Sequence, residues 1–436
     1  MNTNSFVNDG IRYTGHYFTL PLDYQAPTGE HLQVFARSVE IANETDSNKP
    51  WLVFFQGGPG FPSPRMDANH GWMKRALQQF RVLLLDQRGT GLSSPVTHET
   101  LASLTSEQQV TYLSHFRADN IVRDAESIRE QWGIQQWAIL GQSFGGFCSL
   151  TYLSLFPNSL LRSYITGGVP SIVRHADDVY RATYQHTQRK NQRFFQQFPQ
   201  AQTWCRDIAD YLLSHEVYLP NGQRFTVEQF QQIGIRFGVS DSFLPTYYAL
   251  ESAFVSVNGE SVLNYAFLND MLMAQAYQTN PIYAILHESI YCQSSASRWS
   301  AHRIRDEYPQ FHYQSGQPFL FTGEMVYPWM FEQYQCLQPL KTAAMQLAEK
   351  SDWSMLYSPD TLSHNAVPIS CAVYADDMFV DMELTKETLD AIPYARAWIT
   401  NEYEHNGLRA DGERVLDQLI QMGEQTASEL GLTLLS

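Results

Sequence analysis

The sequence predicts an α/β fold: a mostly parallel sheet, covered by helices on both faces and interrupted by a large helical insertion. Three observations lead there. Strand-length apolar runs alternate with helical periodicity at both ends of the 436-residue chain; that alternation is lost in the middle; and a Gly-x-Ser-x-Gly turn stands between a strand and a helix.

In chain order, HYFTLPL and HLQVFARSVE read as a pair of early strands, and Trp51 to Phe55 as a buried one. A helix is expected from Trp72 to Phe80, then a strand from Val82 to Leu85 closing on Asp86. Residues 118 to 132 place Ile121, Val122, Ala125, Ile128 and Trp132 on one helical face. Trp137 to Leu140 follow as a short buried strand, Phe144 to Phe156 as a helix stopped by Pro157, and Tyr164 to Thr166 as the start of another strand. From residue 173 to 364 long helical stretches rich in Gln, Tyr and Phe take over, such as 180 to 198 and 261 to 277. The α/β pattern returns with Ile369 to Ala375 and Ala395 to Thr400, and closes on an amphipathic helix from Ala410 to Met422. The expected division is therefore a core of residues 1–172 and 365–436 with a helical cap, 173–364, inserted between the two parts.

Composition narrows the function classes. With 29 Lys and Arg against 45 Asp and Glu, the formal charge of −16 repels phosphate backbones and anionic lipid, so neither nucleic acid nor a membrane surface is expected as a partner. No apolar run approaches the ~18 residues that span a bilayer, and MNTNSFVNDGIRYTG lacks the basic and apolar regions of a secretory signal, so a cytoplasmic location is expected. Cys148, Cys205, Cys292, Cys336 and Cys371 are odd in number and scattered, without a CxxC pair. They read as buried thiols, with neither a disulfide framework nor a structural zinc site.

The chemical signal is Gly141-Gln142-Ser143-Phe144-Gly145-Gly146, between the strand WAIL and a helix. A sharp strand-to-helix turn forces its central residue into a strained conformation. Glycines two positions either side relieve the crowding, and the Ser143 oxygen is left exposed as a nucleophile. A serine needs a base to take its proton, and in such a fold the order is Ser, then Asp or Glu, then His. The strand ISCAVYA ends on Asp376-Asp377 at the carboxyl edge of the sheet. Asp377 is the expected partner, ahead of Asp376 and Asp381. Of 13 histidines only His405 follows the last expected strand, which makes it the expected base, with His364 a minor competitor. Gln56-Gly57-Gly58-Pro59-Gly60 after WLVFF is the expected oxyanion loop, the Gly58 and Phe144 N–H groups supplying donors that contribute on the order of 3 to 4 kcal/mol each. Asp86 and Arg88, in DQRGTGLS, are expected to tie loops together beneath the site.

Taken together, GGPG after a strand, DQRGTGLS, GQSFGG and a late Asp and His resemble the proline iminopeptidases of the α/β-hydrolase superfamily, in their longer bacterial form, over nearly the whole chain. Gln56 departs from the His that shorter members carry before GGPG. The resemblance implies an α/β-hydrolase fold with a mainly helical cap, release of an N-terminal proline from peptides, and no metal or organic cofactor. It also implies acidic cap residues that hold the substrate ammonium, and Glu288 and Glu324 match their surroundings, with Glu332 in reserve. Tyr327, Trp329 and Phe331 are candidates for an apolar wall around the ring, although such clusters are more often core. An esterase or a broader aminopeptidase with the same triad is the alternative, because fold and triad do not fix substrate; oligomeric state is not indicated.

Overall fold

The computed structural model describes residues 4–44, 48–66 and 68–435. Its strands are β1 (Ser5–Asn8), β2 (Ile11–Pro21), β3 (His31–Ile41), β4 (Trp51–Phe55), β5 (Arg81–Leu85), β6 (Trp137–Gln142), β7 (Leu160–Thr166), β8 (Val217–Tyr218), β9 (Arg224–Phe225), β10 (Phe254–Val257), β11 (Glu260–Leu263), β12 (Ile369–Tyr374) and β13 (Ala395–Thr400). Nine of them form one sheet in the order β1-β2-β3-β5-β4-β6-β7-β12-β13. It is antiparallel from β1 to β5 and parallel from β5 onward.

Unbroken apolar strands are what a sheet buried on both faces requires. Alternate residues of β4, β5 and β6 divide accordingly. Leu52, Phe54, Val82, Leu84, Ala138 and Leu140 pack beneath the helices Gly71–Gln79 and Gly412–Glu429. Val53, Phe55, Leu83, Leu85 and Ile139 face the helices Ala118–Gln131 and Phe144–Leu155. Each Val, Leu, Ile or Phe among them, withdrawn fully from water, stabilises the fold by about 1.5–3 kcal/mol. Because β12 pairs with β7 in register, Ile369 beside Ser163, the strand that runs out just before Asp377 stands next but one to the strand that ends before Ser143, although more than two hundred residues separate them.

None of the residues between β7 and β12 joins the large sheet. This cap is mainly helical, with the helix Ala176–Gln197 its longest element and aromatic side chains such as Tyr184, Tyr327, Phe230 and Phe321 packed among aliphatic ones in its two cores. The expected helix over 261 to 277 is instead β11 followed by the helices Tyr265–Met273 and Ala276–Thr279. Asn258 and Gly259, both at positive φ, close the β10–β11 hairpin, and the Asn264 side chain accepts the Ala266 N–H to start the next helix. The last helix begins at Gly412 and continues past Met422 to Glu429, burying Gly423, Thr426 and Ala427 along its extra turns.

Candidate active site

The sharp strand-to-helix turn at Ser143 follows from local crowding. Ser143 sits at φ 54 and ψ −124, a strained conformation for a residue with a side chain, immediately before the helix Phe144–Leu155. It is held there by its own N–H on the Thr166 carbonyl (3.0 Å) and by its carbonyl accepting the Gly146 N–H (2.7 Å). A Cβ at Gly145 would lie 1.9 Å from the Phe55 carbonyl oxygen, and one at Gly141 2.3 Å from that of Gly145, so no larger residue fits either place.

At Gly57 a Cβ would lie 2.8 Å from the Ser143 Cβ, which sets the loop after β4 directly against Ser143. Among the described residues neither the Gly58 N–H nor the Phe144 N–H donates a hydrogen bond; the latter is a first-turn group with no intrahelical acceptor. The Gln56 carbonyl is tied to Gln87 Nε2 at 2.9 Å.

Asp377, 1% exposed, stands just past the end of β12. Its Oδ1 accepts the N–H groups of Phe379 (2.8 Å) and Val380 (3.2 Å), and its Oδ2 lies 2.7 Å from His405 Nδ1. Since a carboxylate can only accept there, Nδ1 carries the hydrogen and Nε2 keeps the lone pair a general base needs. The Phe379 ring meets the imidazole edge to face at 4.7 Å. Burial pushes the His405 pKa down, but the charge and hydrogen bond of Asp377, with a further contribution from Glu324, more than offset it, and the net shift is upward from 6.5. The Ser143 hydroxyl makes no hydrogen bond among the described residues, to His405 or otherwise; in free enzymes this contact often closes only with substrate.

The competing residues are engaged elsewhere. Asp376 pairs with Arg193 at 3.1 Å. Asp381 caps the helix Met382–Asp390 through the Leu384 N–H and bonds His186 at 2.7 Å. His364 is exposed and turned to the Asp360 carbonyl. Arg88 is fully buried, bidentate to Asp124 and donating to the carbonyls of Pro21, Leu22 and His115; Asp86 accepts from Arg65 and from the Ser63 and Leu92 N–H groups. Both tie loops together, as their sequence position implies.

In the cap, the two candidate glutamates differ. Glu324 Oε1 accepts the Tyr283 hydroxyl, its Oε2 lies 3.9 Å from His287 Nε2, and its charge reaches His405. Glu288 is buried and accepts the Ala301 (2.9 Å) and Ser300 (3.1 Å) N–H groups, so it caps the helix Ser300–Ile304. Burial drives its pKa up to about 7 against the opposing pull of those hydrogen bonds. Glu332 pairs with Lys341 (2.8 Å) on the surface. Tyr327 and Phe331 are buried core residues, Tyr327 sharing a hydrogen bond with Tyr184 (2.9 Å), and Trp329 stacks on Tyr327. Tyr283 and His287 escaped the sequence reading. Their one signal is an i, i+4 spacing beside Glu288, and the contact that gives them a role, to Glu324, is non-local.

Residues 50–286 match the family model described as the alpha/beta hydrolase fold. A proline iminopeptidase of Aeromonas sobria is 56% identical over 419 residues, covering 96% of this chain and 98% of its own. The proline iminopeptidase aneH of Aspergillus aculeatus is 32% identical over 432 residues, covering 96% of each. Similarity to a proline iminopeptidase of Neisseria gonorrhoeae, 32% identical, is confined to 107 residues, 24% of this chain and 28% of the other.

Proposed function

The chain belongs to the proline iminopeptidases of the α/β-hydrolase superfamily, and from that premise we propose that Ser143, His405 and Asp377 form the triad that releases N-terminal proline from peptides. The observation that carries the assignment is the 2.7 Å bond between Asp377 and His405 on the same sheet edge as the strained Ser143.

The reaction runs in two halves. The substrate lies between cap and sheet, its secondary ammonium on Glu324 and its scissile carbonyl against Ser143. A carboxylate shielded from water attracts a cation far more strongly than a solvated one. Glu288, buried in the same cap and already accepting the Ser300 and Ala301 N–H groups, is the weaker second candidate for that ammonium. His405 Nε2 takes the Ser143 proton as Oγ attacks, and the Gly58 and Phe144 N–H groups hold the oxyanion. The C–N bond then breaks as His405 returns the proton to the leaving amine. Water, deprotonated by the same imidazole, hydrolyses the prolyl ester and restores the serine. Asp377 fixes the tautomer throughout.

The division into a core of residues 1–172 and 365–436 and a cap of 173–364 belongs to the same reading, because it sets amine recognition on one part and the triad on the other. Among the described residues no helix is long and apolar enough to cross a membrane. All five cysteines are unpaired and four are buried, which supports a reducing, cytoplasmic setting. The test compares hydrolysis of Pro-, Ala- and N-blocked-Pro-anilides with that of a p-nitrophenyl ester. The free prolyl anilide is expected to be cleaved best, and efficient cleavage of the blocked one would overturn the amine anchor.

A further inference from the structure

We propose that the cap positions the triad: Lys190, Arg193 and Gly238 hold the acid turn and the base loop in place against Ser143. The inference rests on the triad assigned above and concerns residues that touch neither substrate nor the reacting atoms.

The helix Ala176–Gln197 carries His186, Lys190 and Arg193 at spacings of four and three, which puts them on one face. Each meets a carboxylate that flanks a triad member. His186 bonds Asp381 at 2.7 Å, Arg193 pairs with Asp376 at 3.1 Å, and Lys190, 2% exposed, pairs with Glu404, the residue before His405. The two aspartates that compete with Asp377 in the sequence thus serve as its attachments to the cap.

A second set of contacts comes from a different part of the insertion. The Gly238 carbonyl accepts the His405 N–H at 3.1 Å, and Asn406 Oδ1 accepts both the N–H and the hydroxyl of Ser240 at 3.2 and 3.1 Å. Gly238 also lies close against the tip of Phe379, the ring that meets His405 edge to face: a Cβ there would be 2.0 Å from the Phe379 Cζ. Acid turn and base loop are therefore gripped from the cap at both their flanks, whereas Ser143 is held by β7 and its own helix. A change in how the cap seats moves base and acid relative to the nucleophile, and a misplacement of about 1 Å at such a site costs up to roughly a hundredfold in rate.

The test measures kcat and KM of Lys190→Met, Lys190→Arg and Arg193→Gln on a prolyl anilide and on a p-nitrophenyl ester, with melting temperatures and Ser143→Ala alongside. For Lys190→Met, kcat is expected to fall about tenfold or more on both substrates with KM within about twofold, and Lys190→Arg to recover most of the loss. Arg193→Gln, at an exposed pair, is expected to fold normally and lose about two- to threefold in kcat; it carries the test if Lys190→Met does not fold. Wild-type kcat in the folded variants, with or without a lower melting temperature, overturns the proposal. Retained activity in Ser143→Ala would instead fault the triad itself, so the two failures are distinguishable.

Discussion

The carboxyl edge of the sheet and the floor of the cap both hold buried or half-buried carboxylates, by different means. Asp377 is fixed by two N–H groups of its own turn and by His405, all within or just beyond the last two strands. Glu324 is reached by Tyr283 and His287 from a segment about forty residues earlier, and Glu288 is satisfied by the start of a following helix. The first arrangement is set by where a strand ends. The second depends on how short helices and loops pack, so its carboxylates can change role without any change in fold.

The largest effect that tests this contrast is at the sheet edge. Ser143→Ala is expected to lower kcat by roughly 10⁵- to 10⁶-fold with the melting temperature unchanged, and Asp377→Asn by about 10⁴-fold through loss of the correct tautomer. Next comes Glu324→Gln, expected to reduce kcat/KM for a free prolyl anilide by roughly 30- to 1000-fold while ester hydrolysis stays within about threefold. Glu288→Gln should behave otherwise: about 1–3 kcal/mol of stability lost in a denaturant melt, because a carboxylate that caps two N–H groups is replaced, and less than about tenfold in kcat/KM. Equal specificity losses in the two variants at unchanged stability would exchange their roles.

The smallest effect is in the pH profile. His405 must be neutral to act as base, and its pKa is raised, so the acid limb of kcat/KM is expected above pH 6.5, activity falling as pH drops through it. Asp377 and Glu324 supply the upward pull. A bound ammonium offsets the charge of Glu324, so the limb of kcat, which reports the complex, should lie at lower pH than that of kcat/KM. Glu324→Gln should bring the two together. Limbs that coincide in the wild type would place Glu324 out of reach of the reaction.

The same contrast explains what was legible in the sequence. The proposed triad of Ser143, Asp377 and His405 could be picked out because each lies in the segment that follows a strand, where apolar runs, Gly-x-Ser-x-Gly and chain order all point to one place, and the structure brings Asp377 and His405 together. Unbroken apolar strands likewise revealed a sheet buried on both faces. In the cap, apolar patterning over 261 to 277 suited a helix, yet Asn258-Gly259 closes a hairpin and Asn264 starts the helix proper. Turn chemistry overrode periodicity there. The ties of Tyr283 to Glu324 and of Lys190 to Glu404 join segments far apart in the chain, so no local pattern marks them.

The central claim, that an acidic site in the cap selects a free prolyl amine for the triad on the sheet, is tested most directly by one ratio. That ratio is kcat/KM for a prolyl anilide over kcat/KM for its N-acetylated counterpart, measured in the wild type and in Glu324→Gln. The account predicts a ratio of roughly 10³ or more in the wild type that collapses by at least about thirtyfold in the variant. A ratio near one in the wild type, or one that Glu324→Gln leaves unchanged, would contradict it.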